Sequence, residues 1–275
     1  MKKTLICNGC SFMAGDEIVW EQFCQTNNIE RSDYRTIPLK DSAMYNNYME
    51  YRSTCNLPMQ ISKKLSMNRI DVSSDGNSND MISINTINYI LSLSKEERKN
   101  YHVLVGWTSN TRRMRFFTKN LAFINLTIHH LTNANPNMSI FKNYIKSSIL
   151  EAENEDHYIN YIKNLMLLEN FLISNNMTYT FYRALGSVND GVVKSHKFQP
   201  LWTGSFRDKE ISNPNCWVKF DTNDNYPHIG SSWTQEILDK DPSNFVSVEN
   251  LHPNLKAVEH VATIISKSIE AQGEL

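Results

Sequence analysis

The chain reads as an α/β protein built on a parallel sheet with helices on both faces, and three observations predict it. β-prone apolar runs alternate with helical patterns from end to end. The run Tyr101-His102-Val103-Leu104-Val105-Gly106 is continuous and apolar enough to be a strand buried on both faces. The first stretch, Leu5-Ile6-Cys7, feeds a turn carrying Gly9, then Ser11 and a second glycine, Gly15. That is the pattern of a strand stopping in a tight turn before a helix. In open α/β sheets ligands bind at the carboxyl ends of the strands, so Ser11 stands where a nucleophile would.

The remaining elements follow in order. Residues 16–60 read as loop-rich, with aromatics but weak periodicity. Leu57 to Met67 is helical, with Leu57, Ile61 and Leu65 on one face. Arg69 to Ser73 is a short strand that ends in Ser74-Asp75-Gly76-Asn77-Ser78-Asn79. A helix follows on Met81, Ile84, Ile87 and Leu91, and Ser94-Lys95-Glu96-Glu97 fits a capping box. After the strand at 101–106, residues 107–112 form a turn into another helix opened by Arg112, Arg113 and Arg115. Residues 116–150 read as helical with breaks around Asn135-Pro136. His157 to Ser174 is the clearest amphipathic helix, and Thr178 to Tyr182 is a fourth strand. Phe245 to Val248 is a short apolar run before a final helix with Pro253 in its first turn and a buried stripe of Leu255, Val258, Ala262, Ile265 and Ile269.

Length and composition narrow the classes. At 275 residues the chain can bury a sizeable core, and 40% hydrophobic with 21% charged residues is ordinary for a globular protein. No repeat or domain boundary stands out, so 1–275 reads as a single domain. The Gly-, Pro-, Asn- and Asp-rich span 184–244 is too long for a bare connection and reads as a lid or insertion. A net charge of -1 offers no basic field for nucleic acid. No stretch reaches membrane-spanning length, and the apolar run after Met1-Lys2-Lys3 is too short for a signal peptide. Five scattered cysteines, at 7, 10, 24, 55 and 216, do not suggest a secreted disulfide framework. The expectation is a cytoplasmic protein, with export as part of a particle left open.

Four loops leave the carboxyl ends of predicted strands, at Ser11, Gly76, Thr108 and His252, and topology gathers them although the sequence separates them. Acyl transfer needs an activated hydroxyl, an imidazole to take its proton, a carboxylate to orient the imidazole and donors for the oxyanion. Ser11 can be the nucleophile, His252 the base and Glu249 the orienting acid. Glycine at Gly76 would let a backbone N–H approach an oxyanion closely.

These blocks resemble those of the SGNH (GDSL-like) hydrolases, above all the phage-encoded branch whose first block reads Gly-Cys-Ser-Phe. Gly9-Cys10-Ser11 stands where the family has Gly-Asp-Ser, which implies Ser11 as nucleophile and as an oxyanion N–H donor. Gly76 is similar to the second-block glycine. Gly106-Trp107-Thr108-Ser109 lies where the family has Gly-x-Asn-Asp, and Glu249-Asn250-Leu251-His252 where it has Asp-x-x-His. The resemblance runs from residue 5 to about residue 262. It implies a flavodoxin-like three-layer α/β/α fold, a Ser11–His252–Glu249 triad, and an oxyanion site of Ser11, Gly76 and Thr108. Arg112, Asn79 and Trp107, in or beside the second and third blocks, are the expected substrate contacts, with Arg112 suited to an anionic group.

Three departures bear on activity. Cys10 replaces the first-block Asp and leaves the serine in place. Thr108 replaces an Asn whose side chain donates to the oxyanion, and losing one such donor costs about 10²–10³ in turnover. The Thr108 hydroxyl, or Asn77 or Asn79 reaching over, would have to substitute. Glu249 is one methylene longer than Asp.

Simpler readings stand beside each assignment. A serine after a first strand is often a helix cap, and His252 before a proline can be a surface turn residue. His260 falls off the apolar stripe of its helix and reads as solvated. Cys7 and Cys10 have redox-pair spacing, yet Cys7 falls within an apolar strand. Trp202, Trp217 and Trp233 fit either sugar-stacking platforms or core packing. The function expected is an esterase or acetylesterase acting on a small-molecule or glycan ester, with no metal, organic cofactor, nucleic acid or membrane. The resemblance to the phage branch places it in an infected host or a virion. The alternatives are a non-catalytic glycan-binding or virion structural protein, distinguished by its assembly state, and an acyltransferase using the same serine.

Overall fold

Strand β1 (Thr4–Asn8) is buried from Leu5 onward, as its apolar run dictates, and it pairs in parallel with a neighbour on each side. The computed structural model describes residues 3–15, 23–24, 26–28, 42–109, 112–117, 122–126, 154–185, 212–220, 233, 243 and 253–273. Along the described chain, β1 is followed by α1 (Ser11–Ala14), α2 (Ser42–Cys55), α3 (Leu57–Leu65) and β2 (Arg69–Asp71). Then come α4 (Asn79–Leu91), α5 (Lys95–Arg98), β3 (Tyr101–Trp107), β4 (Arg113–Phe117) and β5 (Ala122–Leu126). The remainder is α6 (Asn154–Ser174), β6 (Thr178–Arg183), a 3₁₀ turn (Pro214–Cys216) and α7 (Leu255–Ala271).

The main sheet has the order β2-β1-β3-β6 and all three pairings are parallel, with Ile6 opposite both Ile70 and Val103. Side chains alternate across it. Leu5, Cys7, Leu104 and Tyr182 point to one face, where α1, α2, α3 and α7 pack through Met13, Tyr48, Leu57, Ile61, Val258 and Ile265. Ile6, Val103, Val105 and Phe181 point to the other, against Ile82 and Ile90 of α4 and Leu165, Leu168 and Leu172 of α6. The fold is a three-layer α/β/α arrangement of flavodoxin-like order. The described helices between β1 and β2 pack on one face and α4, between β2 and β3, on the other, so the chain switches direction between β1 and β3. The crevice outside the carboxyl ends of those two strands is the natural ligand site of such a sheet.

Local chemistry accounts for the element ends. Asn56 caps α3 by accepting from Met59 N (3.1 Å), with Pro58 in the first turn. The expected capping box forms on α5: Ser94 accepts from Glu97 N, and Glu97 accepts from Ser94 N at 2.9 Å. Asn254 caps α7, so Pro253 precedes the cap rather than lying in the first turn.

Two expectations are corrected. The span 16–60 contains the fourteen-residue helix α2. Its inward positions, Met44, Tyr48, Tyr51 and Cys55, do keep helical spacing, but tyrosine tips and a buried Arg52 blur the apolar stripe. Residues after 112 do not open a helix: Arg113–Phe117 is a strand paired antiparallel with Ala122–Leu126. A β-prone Phe116-Phe117 against a second apolar run favours the ladder over the helix.

Trp217 and Trp233 take the core-packing role. Trp217 stacks edge-on to Phe181 at 5.5 Å and bridges it in the manner of a strand, while Trp233 meets Phe12 edge-on at 5.7 Å. Glu169 of α6 anchors the segment before Trp217, with Oε1 accepting from Tyr179 Oη, Ser212 Oγ and Asn213 N. Trp202 lies outside the described residues, with 186–211, 221–232, 234–242 and 244–248.

His102, at the amino end of β3, is fully buried between the Thr178 and Thr180 hydroxyls, at 3.0 and 2.9 Å. Burial, with a contribution from Lys3, lowers its pKa to about 3. The folded protein therefore keeps His102 neutral while the unfolded chain protonates it near its ordinary value. As pH falls from 6.5 toward 3, stability drops by about 1.4 kcal/mol per pH unit from this group, or about 2 kcal/mol by pH 5. Denaturant titrations of wild type and His102→Gln across that range check this: the variant's stability profile is expected to lack this slope.

Candidate active site at the β1/β3 switch point

The site is assembled by side chains that tie three strand ends together. Asn8, the last residue of β1, is buried and fully used. Its Nδ2 donates to Ile82 O (2.9 Å) and Thr86 Oγ1 (2.8 Å) of α4, and its Oδ1 accepts from Gly9 N (2.8 Å). That fixes the turn at Gly9. A Cβ on Gly9 would lie 2.8 Å from the Met13 Cβ and 3.1 Å from the Gly106 carbonyl, so glycine is required here by close packing. Ser11 follows as the first residue of α1, and the residue before it, Cys10, offers no side-chain cap.

The loop after β2 is drawn onto the same turn. Ser74 N and Asn77 Nδ2 both donate to the Gly9 carbonyl, at 3.3 and 3.1 Å. Gly76 lies at the tip with φ 75°, a left-handed conformation that favours glycine. The space its Cβ would occupy is open. Conformation rather than crowding selects this glycine. Arg52, buried in α2, donates to the neighbouring Asp75 at 2.8 Å and braces the loop from below.

The end of β3 completes the group. Asn79 Oδ1 accepts from Thr108 N (2.9 Å), and Asn79 Nδ2 donates to the carbonyls of Thr108 (3.2 Å) and Ser109 (3.4 Å). Arg112 sits half-buried beyond it and donates from Nη1 to the Asn77 carbonyl at 3.5 Å. Parallel pairing of Asn8 with Val105 carries the two strand ends forward side by side, toward Ser11 and Thr108.

No protein-family model matches this sequence, and neither does any curated protein. Among solved structures, the psychrotrophic esterase EstA from Pseudoalteromonas sp., in a structure inhibited by monoethylphosphonate, is similar over 100% of both chains. The identity is 13% and the TM-score 0.47.

Of the residues the sequence singles out, Ser11 and Asn79 open helices and Gly76, Thr108 and Arg112 lie on loops, all in segments that these bonds join. Glu249 and His252 lie outside the described residues. Trp107 stands apart. It is completely buried on the α4/α6 face, edge-on to Tyr161 at 5.8 Å and to Phe181 at 5.5 Å, and has no exposed surface to offer a substrate. Asn77 and Asn79 do not reach over as replacement oxyanion donors. The Asn77 amide is turned to Gly9, and Asn79 spends its donors on two backbone carbonyls. The Thr108 hydroxyl is different: it is buried and has no hydrogen-bond partner among the described residues, a state that costs about 1–3 kcal/mol unless a ligand relieves it.

Burial pushes the Cys7 thiol well above its ordinary pKa, and both Cys7 and Cys10 are buried free thiols. An inert core thiol, not a redox nucleophile, is what that environment makes. His260 is exposed on α7, as its place off the stripe requires. Among the described residues no helix is long and apolar enough to cross a membrane. Sequence reasoning overlooked Asp80, whose Oδ2 accepts from Met114 N (3.2 Å) while Oδ1 accepts from Asn160 and Asn164 (each 3.1 Å). The only signal was its position in the first turn of α4, where acidic residues are common.

Proposed function

We propose that the protein is a serine hydrolase of the esterase or acetylesterase kind. What carries the reading is the placement of Ser11 in the first turn after β1, at the β1/β3 switch point, beside a positive-φ Gly76 and the Thr108 loop. Ser11 Oγ attacks the ester carbonyl while His252, oriented by Glu249, takes its proton. The N–H groups of Ser11 and Gly76 hold the oxyanion, and the unspent Thr108 hydroxyl is the third donor. Collapse of the tetrahedral adduct expels the alcohol, which takes the proton back from His252. Water then repeats the sequence on the acyl-serine, releasing the acid and freeing Ser11. Arg112 holds an anionic group of the substrate. The likeness to the phage branch of the SGNH hydrolases favours an O-acyl glycan or modified metabolite, met in an infected cell or on a particle.

The test is hydrolysis of 4-nitrophenyl acetate and of a panel of acetylated sugars by wild type, His252→Ala and Glu249→Gln. Turnover by wild type is expected to fall at least about 10³-fold in His252→Ala and less in Glu249→Gln. Equal rates in all three proteins would reject the triad.

A second reading, a non-catalytic glycan-binding or virion structural protein, is favoured by one observation. Both nearby carboxamides are committed to backbone groups, so no amide side chain among Asn77 and Asn79 replaces the family's oxyanion asparagine. Assembly into a higher oligomer, with no turnover of any ester, would support it.

A further inference from the structure

We propose that Asp80 is a positioning residue that sets Arg112 at the rim of the site and thereby makes the site selective for esters carrying a negative charge. The proposal rests on the hydrolase reading for the identity of the ligand as an ester. It takes its geometry from the first turn of α4, which grips the connection from β3 to β4 at both ends. Asn79 holds the start, through Thr108 and Ser109. Asp80 holds the end, through Met114 N, the first interior amide of β4. The same carboxylate is itself fixed from behind by the Asn160 and Asn164 amides of α6, and Asn164 is tied back to α4 by Ser83. Between the two grips Arg112 N donates to Ser109 O at 3.2 Å.

This fixes the backbone that carries Arg112. Its guanidinium reaches the Asn77 carbonyl, next to Gly76, and among the described residues no carboxylate pairs with it. A guanidinium offers five donors in a planar fork suited to a carboxylate or phosphate. A single carbonyl uses little of that capacity. Asp80 has both carboxylate oxygens engaged by Met114, Asn160 and Asn164, so in this proposal it acts through the backbone that carries Arg112 and not on the substrate.

The experiment measures equilibrium binding in a Ser11→Ala background, where turnover cannot interfere, so the charge preference is read separately from catalysis: failure of the hydrolase reading shows as no turnover by the wild type, failure of this proposal as no preference for charge. The probes are monoethyl succinate against ethyl butyrate, with the charge on the acyl side, and O-acetyl-lactate against sec-butyl acetate, with the charge on the alcohol side. At least one charged probe is expected to bind about tenfold or more tightly than its neutral partner. Arg112→Gln should abolish that preference. Asp80→Asn should remove most of it while leaving neutral-probe binding in place, and Asp80→Asn added to Arg112→Gln should change nothing further. Equal binding of charged and neutral probes by the parent protein would overturn the proposal. So would an Asp80→Asn variant that weakens both kinds equally, or one that still weakens binding when Arg112 is already gone. Melting curves of every variant separate loss of fold from loss of preference.

Discussion

Replacing Ser11 with alanine is expected to lower ester turnover by at least about 10⁴-fold while leaving the protein folded. The magnitude follows from what a nucleophile contributes when base and oxyanion donors act only through it. On the proposed mechanism there is no acyl-enzyme without Ser11 Oγ, and the N–H groups proposed as oxyanion donors at Ser11 and Gly76 can at best polarise an ester for attack by water. The fold should tolerate the change because the backbone of the turn is held by other groups. Asn8 fixes Gly9, Gly9 O is held by Ser74 and Asn77, and Gly15 ends α1 in a left-handed conformation at φ 87°. The stability change is expected to stay within about 1 kcal/mol. Paired kinetic and melting measurements check both halves, and a large fall in melting temperature would move Ser11 from chemistry to structure.

Gly106→Ala is expected to act the other way, on stability first. A Cβ at Gly106 would stand 2.4 Å from Tyr182 Oη and 2.5 Å from its Cζ. Tyr182 cannot retreat easily: it is fully buried, its hydroxyl donates to Met13 Sδ at 3.5 Å, and its ring packs between Phe220 and Trp233. Overpacking of this kind costs about 1–3 kcal/mol or more. The displaced ring would push on Met13 and so on the helix that carries Ser11, so activity should fall with stability. Denaturant unfolding of Gly106→Ala, Tyr182→Ala and the double variant decides the cause. If the clash is the reason, the double variant loses clearly less than the two single losses combined. Additive losses would mean that glycine is needed at 106 for something other than room for Tyr182.

Much of the fold was legible because its physics is local. Strands buried on both faces, such as Tyr101–Trp107, show as unbroken apolar runs. Helices α6 and α7 show their period because aliphatic side chains line their inner faces. Helix α4 reads as a helix on Met81, Ile84, Ile87 and Leu91, but its buried face is Ile82, Ser83, Thr86 and Ile90, with Ile84 and Leu91 exposed, because small polar residues take the inner positions. Helix α2 was hidden because tyrosine and methionine, with a buried arginine, do the same work less visibly. The β4–β5 pair was hidden by its arginines, whose side chains carry no period signal. In the site, Ser11, Gly76 and Thr108 could be placed from strand ends alone. The roles of Asn77, Asn79 and Asp80 could not, because where a carboxamide or carboxylate points is decided by groups far away in sequence: Gly9, Thr108 and Asn160. Trp107 misled for the same reason. Its neighbours in sequence belong to the site, but the alternation of β3 turns its indole into the opposite layer.

The most direct test of the account is covalent labelling of the folded protein with a fluorophosphonate, read by intact mass, on wild type and Ser11→Ala. A single adduct on the wild type that disappears in Ser11→Ala is the predicted result, since only a serine with a working base and oxyanion site reacts stoichiometrically. A folded wild type that takes up no label would contradict the hydrolase reading and leave the binding or structural role as the better account of this site.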